Sequence, residues 1–102
     1  MEHNAKAHVP TFTWSEKKTA AGAFRDHFVH VAGLQVDGGD AGLTVTLHDG
    51  ADATGPVIME LEAPAGEITS DYLGGVPFAA GKVFAAFDGG AGGSAGYRVG
   101  VA

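Results

Sequence analysis

The chain has 102 residues, no cysteine, and twelve acidic against six basic side chains, for a formal net charge of −6. That length supports one domain around one core, and without cysteine neither a disulfide framework nor a thiolate zinc site can supplement it. After Asp26 only Lys82 and Arg98 are basic, so the chain lacks the basic track that displaces counterions from nucleic acid, and nucleic acid is not an expected partner.

The first ten residues are polar, end in Val9-Pro10, and read as a flexible N-terminal arm over 1–10, either frayed or laid on a neighbouring subunit. They lack the basic start and apolar run of a signal peptide. No apolar stretch reaches membrane-spanning length, so the expectation is a soluble protein assembled in the cytoplasm, with no membrane partner. The domain is expected over 11–102. Thr11-Phe12-Thr13-Trp14-Ser15 is β-branched and aromatic, a first strand with Phe12 and Trp14 on one face. Trp14 is the sole tryptophan; packing at the core edge is its first reading, a sugar-stacking or interface role its second. Phe24 to Val31, continuing through Leu34 and Val36, reads as one strand, although Phe24, Phe28 and Val31 also fit helical phasing. Gly33 argues for a kink or bulge within it.

Asp37-Gly38-Gly39-Asp40-Ala41-Gly42 is a turn by composition. A hairpin follows. Leu43, Val45 and Leu47 alternate with Thr44, Thr46 and His48; a Gly-bearing turn spans Asp49 to Gly55; then Val57, Met59 and Leu61 alternate with Ile58, Glu60 and Glu62. That period of two marks half-buried strands. Ala63-Pro64-Ala65-Gly66 breaks the chain, and the strand from Glu67 to Leu73 sets Ile68, Ser70 and Tyr72 on one face. Pro77 marks an edge or a corner. Lys82 to Phe87 is apolar on both faces, as in a strand covered on both sides, by its own domain or by another subunit. After the glycine loop from Gly89 to Gly96, Tyr97, Val99 and Val101 share a face opposite Arg98. The sum is all-β: an antiparallel sandwich or barrel of about seven or eight short strands.

Little in this chain is equipped for chemistry. Among the histidines, His3, His8, His27, His30 and His48, only His27 and His30 are close, and three residues apart on a strand they face opposite ways. No acidic or thiolate partner stands at ligand spacing, so no metal and no cofactor are expected. Asp37, Asp40, Asp49 and Asp52 fall in turns, where side-chain bonds to backbone are their usual work. The glycine loop resumes as strand instead of opening a helix, unlike a phosphate cradle. Ser15, Ser70 and Ser94 have neither a strained elbow nor a histidine and acid set around them. The expectation is a non-enzyme.

Taken together, Leu43-Thr44-Val45-Thr46-Leu47-His48-Asp49-Gly50, Gly55-Pro56-Val57-Ile58-Met59, Ala63-Pro64-Ala65-Gly66-Glu67, Tyr72-Leu73-Gly74-Gly75-Val76-Pro77-Phe78 and Gly81-Lys82-Val83-Phe84 resemble small β-sandwich virion proteins of tailed bacteriophages and phage-like particles. The likeness covers roughly residues 29 to 102. It implies a virion structural part: a capsid decoration or cement protein, or a head-fibre base, with its own copies, as trimer or pentamer, and the major capsid protein as partners. The shortness of the chain favours decoration. Apolar surface beyond one core agrees with such partners, and Trp14, Ile58 and Phe84 are the expected interface residues. The competing expectation is a carbohydrate-binding or other recognition sandwich, with Trp14, Tyr72 and Tyr97 as the exposed aromatics.

Overall fold

A computed structural model of the protein describes residues 11–74, 76–90 and 93–102. The expected arm at 1–10, with His3 and His8, lies outside the described residues, as do Gly75 and the middle of the glycine loop at 91–92. Among the described residues there are nine strands and no helix: β1 (Thr13–Trp14), β2 (Gly22–Arg25), β3 (Val29–Asp37), β4 (Leu43–Asp49), β5 (Val57–Ala63), β6 (Ile68–Tyr72), β7 (Phe78–Ala80), β8 (Val83–Gly89) and β9 (Gly96–Val101). None of the described residues forms a helix long and apolar enough to cross a membrane.

The strands make two antiparallel sheets. One has the order β1-β9-β3-β6, with β7 also pairing β3; the other has the order β2-β8-β4-β5. The pairings are nested: β1 with β9, β2 with β8, β3 with β6 and β7, β4 with β5. The chain is thus a long hairpin, folded at the β4–β5 turn and rolled until β3 meets β9 and β4 meets β8. A five-stranded and a four-stranded sheet joined in this order form a jelly roll, with β6 and β7 sharing one place beside β3.

The expected run from Phe24 to Val36 is two strands, not one, and this brings the count to nine. Asp26, His27 and Phe28 are exposed and interrupt it, and the chain crosses there from one sheet to the other. Phe24 points into the core while Phe28 is open to solvent, so the helical phasing does not arise. Gly33 does sit at a bulge, where the register with β9 shifts between Val31 and Gly33. The first strand is shorter than expected. Beyond Trp14, Ser15 continues the pairing by a local device: its N–H donates to the Val99 carbonyl at 2.8 Å, and its hydroxyl accepts from the Val99 N–H at 3.0 Å.

Alternation sorts the side chains into a core and two outer faces. From the larger sheet Val31, Leu34, Val36, Tyr97 and Val99 point inward; from the other Val45, Leu47, Val83 and Ala85 meet them, all of them buried. Each large apolar side chain so buried contributes roughly 1.5–3 kcal/mol. The Tyr97 ring packs between Phe24 and Phe87, with centroids 6.1 and 5.6 Å away, and burial pushes its hydroxyl up to about 12. Strand β8 is core on one face only: Phe84 and Ala86 are half-buried on the other, where Phe84 stands beside Ala23 and His48.

A second bulge changes a site expectation. The register of β5 on β4 shifts between Leu47 and His48, so Met59 faces Leu47 while Val57 faces His48. Ile58, expected on the outer face, is instead packed against the core, and Val57 is 59% exposed.

Leu34, fully buried between the sheets, is the sharpest test of this core. Leu34→Ala should cost about 2–5 kcal/mol, whereas Val57→Ala should change stability by less than about 0.5 kcal/mol; urea unfolding of the two variants beside the parent measures both.

Candidate binding surface

The outer face of the larger sheet collects the side chains that the core leaves over. Across its middle the register aligns Trp14 with Gly100, Gly100 with Gly33, and Gly33 with Tyr72. Two glycines in adjacent strands leave a trough between two aromatic residues. Phe12 fills it. Its ring lies 5.2 Å from that of Trp14, edge-on, and 5.6 Å from that of Tyr72, and the Trp14 and Tyr72 rings are 5.9 Å apart. The trough requires glycine: a Cβ on Gly100 would come within 2.7 Å of the Phe12 ring, and one on Gly33 within 2.8 Å of the Asp71 carbonyl. Each aromatic pair adds about 0.5–1.5 kcal/mol beyond the area it buries, enough to hold a first strand of two residues on the sheet.

One row along, Arg98 donates to the Ser15 carbonyl at 3.0 Å and Gln35 donates to the Ser70 hydroxyl at 3.1 Å. In the next row Lys17 pairs with Asp37 at 2.9 Å, and Asp37 also accepts from the Gly39 N–H at 2.9 Å. These bonds, with one from Ser94, hold the Asp37 carboxyl at about 2, well below its ordinary 3.8. Lys17, Gln35, Asp37, Ile68, Tyr97 and Arg98 border a shallow depression of about 100 Å³ between these rows. A pocket for a drug-sized ligand needs roughly 300–1,000 Å³, so this depression suits one protruding side chain or a single polar group.

The expected interface residues do not converge. Trp14 lies on the outer face of the larger sheet, Phe84 on the outer face of the other, and Ile58 against the core. The aromatic set is likewise rearranged: Trp14 and Tyr72 do stand together, but Tyr97 is buried and Phe12 takes the third place. Phe12 shares a face with Trp14 by simple alternation, and the glycines at 33 and 100 were the further signal. The pairing of those two glycines does not show in the sequence without the register that brings them opposite.

The remaining polar residues do local work. Asp52 accepts from the Thr54 N–H at 2.9 Å, a turn bond. His48 is buried with Nδ1 2.9 Å from the Gly55 carbonyl oxygen, tying the turn to β4. His27 and His30 are both exposed, and no three His, Cys, Asp or Glu side chains cluster at metal-binding range among the described residues. No family model, no curated protein and no solved structure matches this chain.

The Asp37 bonds carry a pH signature. Because folding lowers its pKa, the charged carboxyl stabilises the fold above pH 3.8, and the contribution fades as pH falls toward about 2. Acid unfolding of Asp37→Asn should therefore be less steep than that of the parent across this window, with the two curves parallel above pH 5; circular dichroism against pH checks it.

Proposed function

We propose that this protein is a non-enzymatic structural component of a phage virion, a capsid decoration protein that binds the coat lattice together with its own copies. The observation that carries the reading is apolar surface in excess of one core: Phe28, Ile68, Tyr72, Val76 and Phe78 are exposed on or beside the larger sheet. Large apolar side chains left exposed in this number are available for contact with other proteins. The jelly roll is an architecture used by viral capsid domains, and the sequence resemblance points to the same class. The expected partners are the major capsid protein and copies of this chain, with Trp14 and Phe84 contacting them from opposite faces.

Carbohydrate recognition is the second reading, favoured by Trp14 and Tyr72 standing beside the polar row of Gln35, Ser70 and Arg98. Lectin domains share the architecture, so fold does not separate the two.

Mass spectrometry of density-purified particles from the source culture should detect the chain at a fixed ratio to the coat protein, a high ratio meaning decoration and a low one a vertex or tail position. Phe84 replaced by Asp should abolish incorporation and leave a soluble folded chain. Absence from particles, with binding on a glycan array that is lost in Trp14→Ala, would transfer the assignment to the second reading.

A further inference from the structure

Each sheet has two edges, the one beyond β3 being shared by β6 and the three-residue β7, and an exposed edge is a template for another chain unless it is blunted. Three of the four edges are. Strand β1 has two residues, and β2 has four with a bulge at Phe24. Strand β5 is longer, but it is bulged at Ile58 and carries Glu60 and Glu62. A two-fold axis at Glu60 would set that carboxylate against itself, and one at Leu61 would set Glu60 against Glu62. Strand β6 differs. It pairs β3 in unbroken register over five residues, from Gly33 with Tyr72 to Asp37 with Ile68.

The neighbouring hydrogen bonds fix which backbone groups of β6 are spoken for. The Leu73 N–H donates to Ala32 and the Gly38 N–H to Glu67. Residues 67, 69, 71 and 73 therefore turn their backbone groups toward β3, and Ile68, Ser70 and Tyr72 turn theirs to the free edge. Ile68 is 64% exposed and Tyr72 55%, so apolar side chains and open backbone groups coincide.

We propose that this edge is a self-association surface, through which β6 pairs antiparallel with β6 of a second copy about a two-fold axis at Ser70. The strand is self-complementary in that register. Ile68 meets Tyr72 of the copy on the outer face, an aromatic and β-branched pair of the favourable kind. Thr69 meets Asp71, hydroxyl against carboxylate, and Ser70 meets Ser70; no residue faces a like charge. In the single chain Asp71 accepts from the Tyr72 N–H at 2.8 Å. Pairing would pass that N–H to the copy's Ile68 carbonyl and turn the carboxylate toward Thr69. The two larger sheets become one, and Ile68 of each copy extends the other's aromatic row at Tyr72. An isologous contact of this kind closes as a dimer and does not propagate. The inference rests on the edge alone and holds whether or not the protein decorates a particle.

Sedimentation equilibrium of the full chain should give twice the 10.3 kDa chain mass. Ser70→Pro removes an N–H that faces the free edge and so leaves the β3–β6 ladder intact; it should weaken self-association at least tenfold with an unchanged circular dichroism spectrum. As a check that does not depend on that variant folding, Ser70→Cys in this cysteine-free chain should form a disulfide dimer under mild oxidation, since facing residues of such a pair have Cα atoms about 5.5 Å apart. Ile68→Cys should stay reduced, its counterpart lying about 13 Å away along the strand. A monomeric parent chain at about 1 mM, undiminished association in folded Ser70→Pro, or cross-linking of Ile68→Cys as readily as Ser70→Cys would each overturn the proposal. Binding of particles by a strictly monomeric protein would sink this inference and leave the virion reading standing.

Discussion

The pairing of β3 with strands on both its sides is the constraint on which the rest of the molecule depends. Over nine residues it bonds to β9 along one edge and to β6 and then β7 along the other. Val31, Leu34 and Val36 are buried from it, so its register decides which face of each neighbour turns inward. Slipping any of these strands by one residue would exchange core and surface along its length. The bulge at Gly33 is compatible with this because β9 supplies its own glycine, Gly100, opposite it.

That pair of glycines shows how a local backbone requirement becomes a surface feature. Where β3 and β9 lack side chains, the outer face would be bare backbone, and three aromatic residues from two separate segments close over it. The consequence is mechanical as well as chemical: a strand of two residues is retained because its Trp14 is wedged against Tyr72 on the far side of the sheet. The neighbouring ion pair and serine bonds extend the same seam toward the β1–β2 connection, where Glu16 meets Lys18 at 2.9 Å and Arg25 at 3.7 Å. These exposed pairs orient the connection more than they stabilise it.

Alternation made most of the fold legible. The hairpin of Leu43 to Ala63, the shared face of Ile68, Ser70 and Tyr72, and the inward set of Tyr97, Val99 and Val101 all follow from a period of two. The failures have physical causes of two kinds. A bulge at Ile58 inserts one residue and reverses the phase upstream, which moved Ile58 inward and Val57 outward; nothing in the composition of Val57-Ile58-Met59 announces it. Tyr97 fits the alternation but not the expected set of exposed aromatics, because its large apolar body packs between Phe24 and Phe87. The aromatic surface was half legible: Phe12 and Trp14 share a face by alternation, but their meeting with Tyr72 depends on a register that spans most of the chain.

Nested pairing also dictates an order of events during synthesis. Thr13 takes Val101 as its partner, and Gly22 takes Ala85, so the earliest strands have nothing to bond until the latest ones exist. Among the described residues, only the β4–β5 hairpin closes through a short turn. At about 5–20 residues per second, the residues between β1 and β9 take roughly 4–16 s to be made. For that interval Phe12, Trp14 and Phe24 travel uncovered, and long-range closure of this kind is intrinsically slow. The ribosome and whatever shields nascent chains are thus the first partners this sequence must contend with, before any surface it later joins.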